Sequence, residues 1–174
     1  MGTKNRIKMA DLKRAFEAIG LSRVQTFIQS GNILFESNKD EENLRKIIEH
    51  KLEAVFDFSV PVVLRTSTEL KQLIKNCPFS EEEIKEAEET SKLESLYVGL
   101  LIQPPYQEGI EHLNAYISQN EKFSINGRDV YLLFRNSIRN SKLANNLHKL
   151  NVLLTIRNWK TINKLVELVK SMEA

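Results

Sequence analysis

The order in which helical and extended patterns alternate along this chain restricts its fold more than any single motif does. Met9, Leu12, Phe16 and Ile19 recur at helical spacing and stop at Gly20. A β-rich run over residues 24–29 leads through Ser30-Gly31-Asn32 into residues 33–36, which reads as a hairpin. Asp40 is placed to cap a second helix striped by Leu44, Ile47, Ile48, Leu52, Val55 and Phe56. Residues 60–65 read as a third strand, with Pro61 near its start, where a missing N–H does least harm. Ser67 or Thr68 then caps a short helix carrying Leu70, Leu73 and Ile74, and Pro78 closes the half.

The second half repeats the theme with different residues. Residues 97–103 predict a strand broken by Pro104-Pro105, and Ile110, Leu113, Tyr116 and Ile117 predict a helix. Residues 123–125 and 130–135, joined by Asn126-Gly127, predict a hairpin on a type I′ turn, because both central positions of that turn need positive φ. Ser141 is placed to cap a helix with Leu143, Leu147 and Leu150, and a last helix carries Trp159, Ile162, Leu165, Val166 and Val169 on one face.

The halves therefore read α-β-β-α-β-α and β-α-β-β-α-α. Both suggest the split βαββαβ arrangement. The expected fold is α+β, with two ferredoxin-like α/β-sandwich subdomains and antiparallel or mixed sheets. The first half lacks an opening strand, which in this arrangement is a central one. The expected division is an incomplete N-terminal subdomain over residues 1–78, an exposed acidic connector over 79–92, and a C-terminal subdomain over 93–174.

Charge narrows the partners. From Arg135 to Lys170 eight basic residues face Glu167 alone, whereas residues 81–94 hold seven glutamates against Lys85 and Lys92. A basic C-terminal third suggests an anionic partner, although solvated helix faces carry lysines for no such reason. The longest apolar run, residues 97–102, is far shorter than a membrane span, so no membrane partner is expected. The N-terminus shows no apolar signal segment, and Cys77 is the single cysteine, so no internal disulfide can form and a cytoplasmic location is expected.

Several segments together resemble a bacterial family known as domain of unknown function 1697. They are Asn5-Arg6-Ile7-Lys8-Met9 running to Gly20, Val24, Thr26, Phe27 and Ile28-Gln29-Ser30-Gly31-Asn32; Asp129-Val130-Tyr131-Leu132; Ser141-Lys142-Leu143; and Thr155-Ile156-Arg157-Asn158-Trp159-Lys160-Thr161 with Leu165. The resemblance implies two ferredoxin-like subdomains and brings no settled activity. It also implies an opening strand and an RGINVGG-like loop, whose close Met1-Gly2-Thr3-Lys4-Asn5 matches. The expectation that follows is a shortened form of a longer gene product.

No motif names a reaction or a cofactor. Phosphate loops, dinucleotide fingerprints, nucleophile elbows and HExxH pairs are absent from the sequence. His50, His112 and His148 lie far apart, and Cys77 has no neighbouring histidine to activate it. Trp159 heads an apolar stripe and reads as a core anchor, with Asn158 before it as an N-cap. The same helix start, with Arg157, Lys160 and Thr161, would also suit a phosphate or carboxylate. Ser30 and Asn32 read as turn residues or as polar groups lining a cleft.

The leading functional expectation is a binding module for an anionic ligand at residues 157–161, either a nucleotide-like small molecule or nucleic acid. An enzyme using Ser30, Asn32, Arg157 and Asn158 is the second. A protein-interaction domain that pairs through a sheet edge, with homo-oligomers formed by the incomplete N-terminal sheet, is the third.

Overall fold

The structure is a computed structural model that describes residues 7–27, 31–92 and 94–174. It divides into two compact units, Met1–Leu64 and Arg65–Ala174. Each has its own apolar cluster.

In the first unit, α1 (Met9–Ala18) buries Leu12, Ala15 and Phe16, and α2 (Glu41–Phe56) buries Leu44, Ile48 and Leu52. Asp40 caps α2 by accepting the Asn43 N–H at 2.8 Å, which satisfies one of the orphan donors of a helix start. Between the helices, β1 (Ser22–Phe27) and β2 (Asn32–Glu36) pair antiparallel, with Phe27 opposite Asn32. Phe35 of β2 meets Phe16 of α1 edge to face, ring centroids 5.5 Å apart. Gly31, at φ +82°, takes the left-handed conformation that favours glycine.

The third strand expected over residues 60–65 does not form a ladder. Val60, Val62 and Leu64 still pack on the cluster that Ile33 and Phe35 also reach. The N–H of Val62 donates to the Glu49 carboxylate at 2.8 Å rather than to a neighbouring strand. The physical reason is topological. The central strand of a split βαββαβ sheet lies between its third and fourth strands, and the described residues supply none here. Among the described residues the first subdomain is thus a two-stranded sheet under two helices, with no opening strand.

The second unit is complete. Its strands β3 (Leu96–Leu101), β4 (Glu121–Asn126), β5 (Asp129–Phe134) and β6 (Leu154–Asn158) form one antiparallel sheet in the order β4-β5-β3-β6. One sheet face presents Leu101, Val130, Leu132 and Phe134 to Leu113 of α5 (Gln107–Asn114) and to Leu143, Leu147 and Leu150. The other face is covered by α3 (Ser67–Lys75), α4 (Glu81–Ser91) and α7 (Trp159–Glu173). On that side the Tyr131 hydroxyl donates to the Leu73 carbonyl at 2.6 Å. Leu133 packs there with Ala87 and Trp159. Because helices cover both faces, β5 is buried along Val130–Phe134 and reads as a continuous apolar run.

The structure departs from the sequence reading in specific places. β6 was not foreseen. It is an edge strand half-buried along its whole length, so no alternation marks it. The single helix expected after Ser141 is α6 (Lys142–Asn145) followed by a 3₁₀ turn, Leu147–Leu150. Asn146 donates its side-chain amide to the Lys142 carbonyl at 2.7 Å, a local bond that competes with continued helix. The β4–β5 turn is centred one residue later than expected. Asn126 pairs with Asp129, and only Gly127 has positive φ (+61°), as a type II′ turn requires at its first central position. α3, expected with the first half, belongs to the second unit, where Leu70 and Leu73 are buried. The acidic stretch, read as a solvated helix or connector between the halves, is a helix, α4, started by a Ser80–Glu83 capping box and anchored by a fully buried Ala87.

An ionic cluster braces the second unit where α3 begins. The Arg65 guanidinium, its side chain only 4% exposed, donates to the carbonyls of Leu101 and Arg128 at 2.9 and 2.8 Å and pairs with Asp129 at 3.1 Å. Burial pushes the Arg65 pKa down and that of Asp129 up. Arg128 in turn pairs with Glu69 at 2.7 Å, and Glu69 closes the capping box on Thr66.

Candidate functional site

The residues singled out near the C-terminus meet at a strand-to-helix junction with no loop in it: β6 ends at Asn158 and α7 begins at Trp159. Asn158 keeps extended backbone, φ −74° and ψ 161°, while its side chain accepts the Thr161 N–H at 2.8 Å. It therefore satisfies one orphan donor of α7. Of the first-turn N–H groups before it, that of Trp159 is used by the Tyr97–Asn158 step of the β3–β6 ladder, and that of Lys160 has no acceptor within the helix. They lie at the positive end of a fifteen-residue helix.

Arg157 sits opposite Val98 in the β3–β6 ladder. Residues two apart on a strand share a face, so Arg157 stands beside Thr155. Its Nη1 donates to the Thr155 hydroxyl at 2.6 Å and to the Ile156 carbonyl at 2.9 Å. The guanidinium is held against the strand and partly stripped of water. Burial lowers its pKa, although a guanidinium stays charged at neutral pH.

Lys160 is exposed, and its ammonium pairs with Glu94 at 2.9 Å. The hydrogen bond to Glu94, reinforced by its charge, raises the Lys160 pKa. Burial and the Glu94 charge together raise that of Tyr97, which lies opposite Asn158 in the ladder. Thr161 is buried and contributes its backbone to the cap. Trp159 points into the cluster of Ala87, Leu96 and Leu133, its ring centroid 6.4 Å from that of Tyr131. The tryptophan is the anchor that fixes where α7 starts.

Of the six residues expected to bind a ligand, Arg157, Asn158, Lys160 and Thr161 are thus contiguous at one junction. Asn32 belongs to the first unit, where it is buried at the hairpin and donates to the Phe27 carbonyl at 3.2 Å. Ser30 lies outside the described residues. Two contributors went unforeseen. Thr155 orients Arg157, and the i, i+2 spacing would have shown it had β6 been recognised. Glu94 holds Lys160, and nothing in the sequence joins two residues so far apart.

The fold also offsets the positive charge of the C-terminal third. Arg135 pairs with Glu86 of α4 at 3.0 Å, and Lys164 pairs with Glu167 at 3.3 Å. Among the described residues no helix is long and apolar enough to cross a membrane.

The chain is similar to known proteins in sequence and in fold. The profile of the family described as "Protein of unknown function (DUF1697)" matches residues 1–131. A solved structure, that of the conserved bacterial protein SP0830 from Streptococcus pneumoniae, superimposes with a TM-score of 0.68 at 23% sequence identity. The alignment covers 97% of this chain and 92% of that one. At that identity the likeness concerns the fold alone. Among curated proteins, none matches significantly.

Proposed function

The chain belongs to the DUF1697 family, and from that premise we propose that it is a binding module for a small anionic ligand, received where β6 passes into α7. The observation that carries this reading is the setting of Arg157. A guanidinium partly withdrawn from water is tied down by Thr155 and Ile156 one residue before the N-cap of a long helix. A phosphate or carboxylate there would meet the guanidinium fork and the backbone N–H of Lys160, with the helix dipole favouring its charge. Because Arg157 is already held, less side-chain entropy is lost on binding. Lys160 adds a flexible charge that has to leave Glu94 to reach the ligand.

A compact anion suits the site better than nucleic acid. Polyanion binding gains from many spread cations that release counterions. Here Arg135, Lys160 and Lys164 already have carboxylate partners. Glu86 and Glu94 would repel a long phosphate backbone laid across this region.

Thermal unfolding with inorganic phosphate, a sugar phosphate, a nucleoside monophosphate and a single-stranded oligonucleotide tests the proposal, against chloride at matched ionic strength. A ligand at a hundred times its Kd should add about 2.7 kcal/mol of stability. Arg157→Gln should keep the fold and lose that gain. Stabilisation by none of the anions beyond chloride would refute the reading, as would undiminished stabilisation of the variant.

A further inference from the structure

The two edges of the second sheet are finished differently. Hydrogen bonds at the strand ends fix which backbone groups face outward. The Ile102 N–H donates to the Leu153 carbonyl at 3.0 Å, so the β3–β6 ladder bonds through Thr155 and Arg157. Leu154 and Ile156 therefore turn their backbone groups to the edge. There the Ile156 carbonyl already accepts from the Arg157 guanidinium at 2.9 Å. A charged side chain folded over the outer row is one way an edge is kept from pairing.

β4 has no such cover. The Arg135 N–H donates to the Asn120 carbonyl at 2.8 Å, so the β4–β5 ladder bonds through Lys122, Ser124 and Asn126. Glu121, Phe123 and Ile125 therefore direct their N–H and C=O groups away from β5. The Glu121 carbonyl accepts the Ser118 N–H at 3.0 Å. Among the described residues nothing bonds to the outward groups of Phe123 and Ile125. Their side chains are half-buried against the cluster of Leu113 and Leu132, so the strand that carries these groups is held in place.

We propose that β4 is a dimer edge: two copies of the chain pair antiparallel through it about a two-fold axis at Ser124, joining two four-stranded sheets into one. In that register Phe123 of each copy lies opposite Ile125 of the other. The main-chain bonds between them use every free outward group of both residues. Each pair sets an aromatic against a β-branched side chain on one face, a favourable cross-strand combination. Ser124 meets Ser124, Lys122 meets Asn126, Glu121 meets Gly127 and Asn120 meets Arg128, so no like charges stand opposite. The acidic Glu121 end of β4 thus lies beside the basic turn of the other copy. The acidic α4 does not oppose the pairing. Its Glu86 binds Arg135, level with Asn120 and so about 14 Å along the strand from the axis. The axis sends the two copies in opposite directions, about 27 Å apart, several Debye lengths. A register that matches itself in main chain, side chain and charge singles out a second copy as the occupant. Neither Arg157 nor α7 takes part, so the inference is independent of the anion site.

Sedimentation velocity of the full chain up to about 1 mM tests it, with the variants Ser124→Lys and Ser124→Glu. Each variant sets like charges face to face on the axis and leaves the bonds to β5 intact. The unaltered chain should show a dimer that grows with concentration. Each variant alone should dimerise at least about tenfold more weakly. An equimolar mixture of the two should recover the dimer, because only the mixed pair places opposite charges on the axis. That recovery also requires both variants to be folded. An unaltered chain that stays monomeric throughout would overturn the proposal. So would a dimer that either variant leaves undiminished, or a mixture that pairs no better than its components.

Discussion

Gly109 offers a sharp quantitative test of the second unit, because two effects of known size oppose each other there. It lies in the first turn of α5, and replacing a helical glycine with alanine ordinarily stabilises a protein by up to about 1 kcal/mol through helix propensity. At this position an added Cβ would stand 2.9 Å from the Leu150 Cα, 2.9 Å from the Lys149 carbonyl oxygen and 3.1 Å from that of Leu150. All three are backbone atoms, so no side chain can rotate away. Either α5 or the Leu147–Leu150 turn has to shift by about half an ångström, within a core where Leu113, Leu147 and Leu150 are buried. Overpacking of this kind costs about 1–3 kcal/mol, and rigid obstacles place it at the upper end. Gly109→Ala should therefore destabilise by about 2 kcal/mol net, lowering Tm by about 4–8 °C for a chain of this size. Gly99→Ala is the internal control. Its Cβ would find its nearest neighbours, side-chain atoms of Leu154 and Val130, at 3.7 Å, an ordinary contact. That variant should be neutral or up to about 0.5 kcal/mol more stable. Urea midpoints for both variants decide the matter. Equal or greater stability of Gly109→Ala would refute the close packing of α5 on the turn.

Trp159→Ala should cost about 3 kcal/mol in urea unfolding, the low end for a lost aromatic because the ring is only half-buried, whereas Arg157→Gln should cost about 1 kcal/mol for the bonds to Thr155 and Ile156. Tyr131→Phe should lose about 1–2 kcal/mol, because it leaves the Leu73 carbonyl without the donor at 2.6 Å. The Glu69 carboxyl shows how pH acts. Burial pushes its pKa up, but hydrogen bonds from the Thr66 N–H and Arg128 outweigh this and hold it below the ordinary 4.5. Its stabilisation is present above the unfolded pKa and is lost as pH falls through the lower folded one. Glu69→Gln should thus flatten the loss of stability below about pH 4.5, measured as Tm against pH; an unchanged acid limb would show that Glu69 does not contribute.

Local rules carried much of this architecture into the sequence. Asp40, Asn158 and Ser141 cap helices because a short side-chain acceptor beside a free N–H is visible in one dimension. The apolar stripes of α1, α2 and α7 announced their buried faces, and the resemblance to the family is matched over residues 1–131. What stayed hidden depends on neighbours distant in sequence. β6 is a strand because β3 stands beside it, and residues 60–64 are not a ladder strand because nothing described does. The turn after β4 is set by register, which placed Gly127 rather than Asn126 at the first central position. At the candidate site, the cap and the tryptophan were legible from their order along the chain. The restraint of Arg157 by Thr155 followed only once β6 existed. The pairing of Lys160 with Glu94 needed the fold itself.

The most direct test of the proposed function is a phosphate titration followed through the backbone amide resonances of the junction. A free N–H group that donates to a bound anion shifts strongly and saturably. The amide of Lys160 should therefore move along one binding curve with the Arg157 guanidinium signals, while those of Trp159 and Thr161, already engaged by the β3–β6 ladder and by Asn158, should move little. Arg157→Gln should weaken this curve at least about tenfold, the equivalent of 1.4 kcal/mol. Shifts that are linear, spread over the exposed lysines and matched by chloride would contradict the account and leave Arg157 as a residue that serves only its own strand.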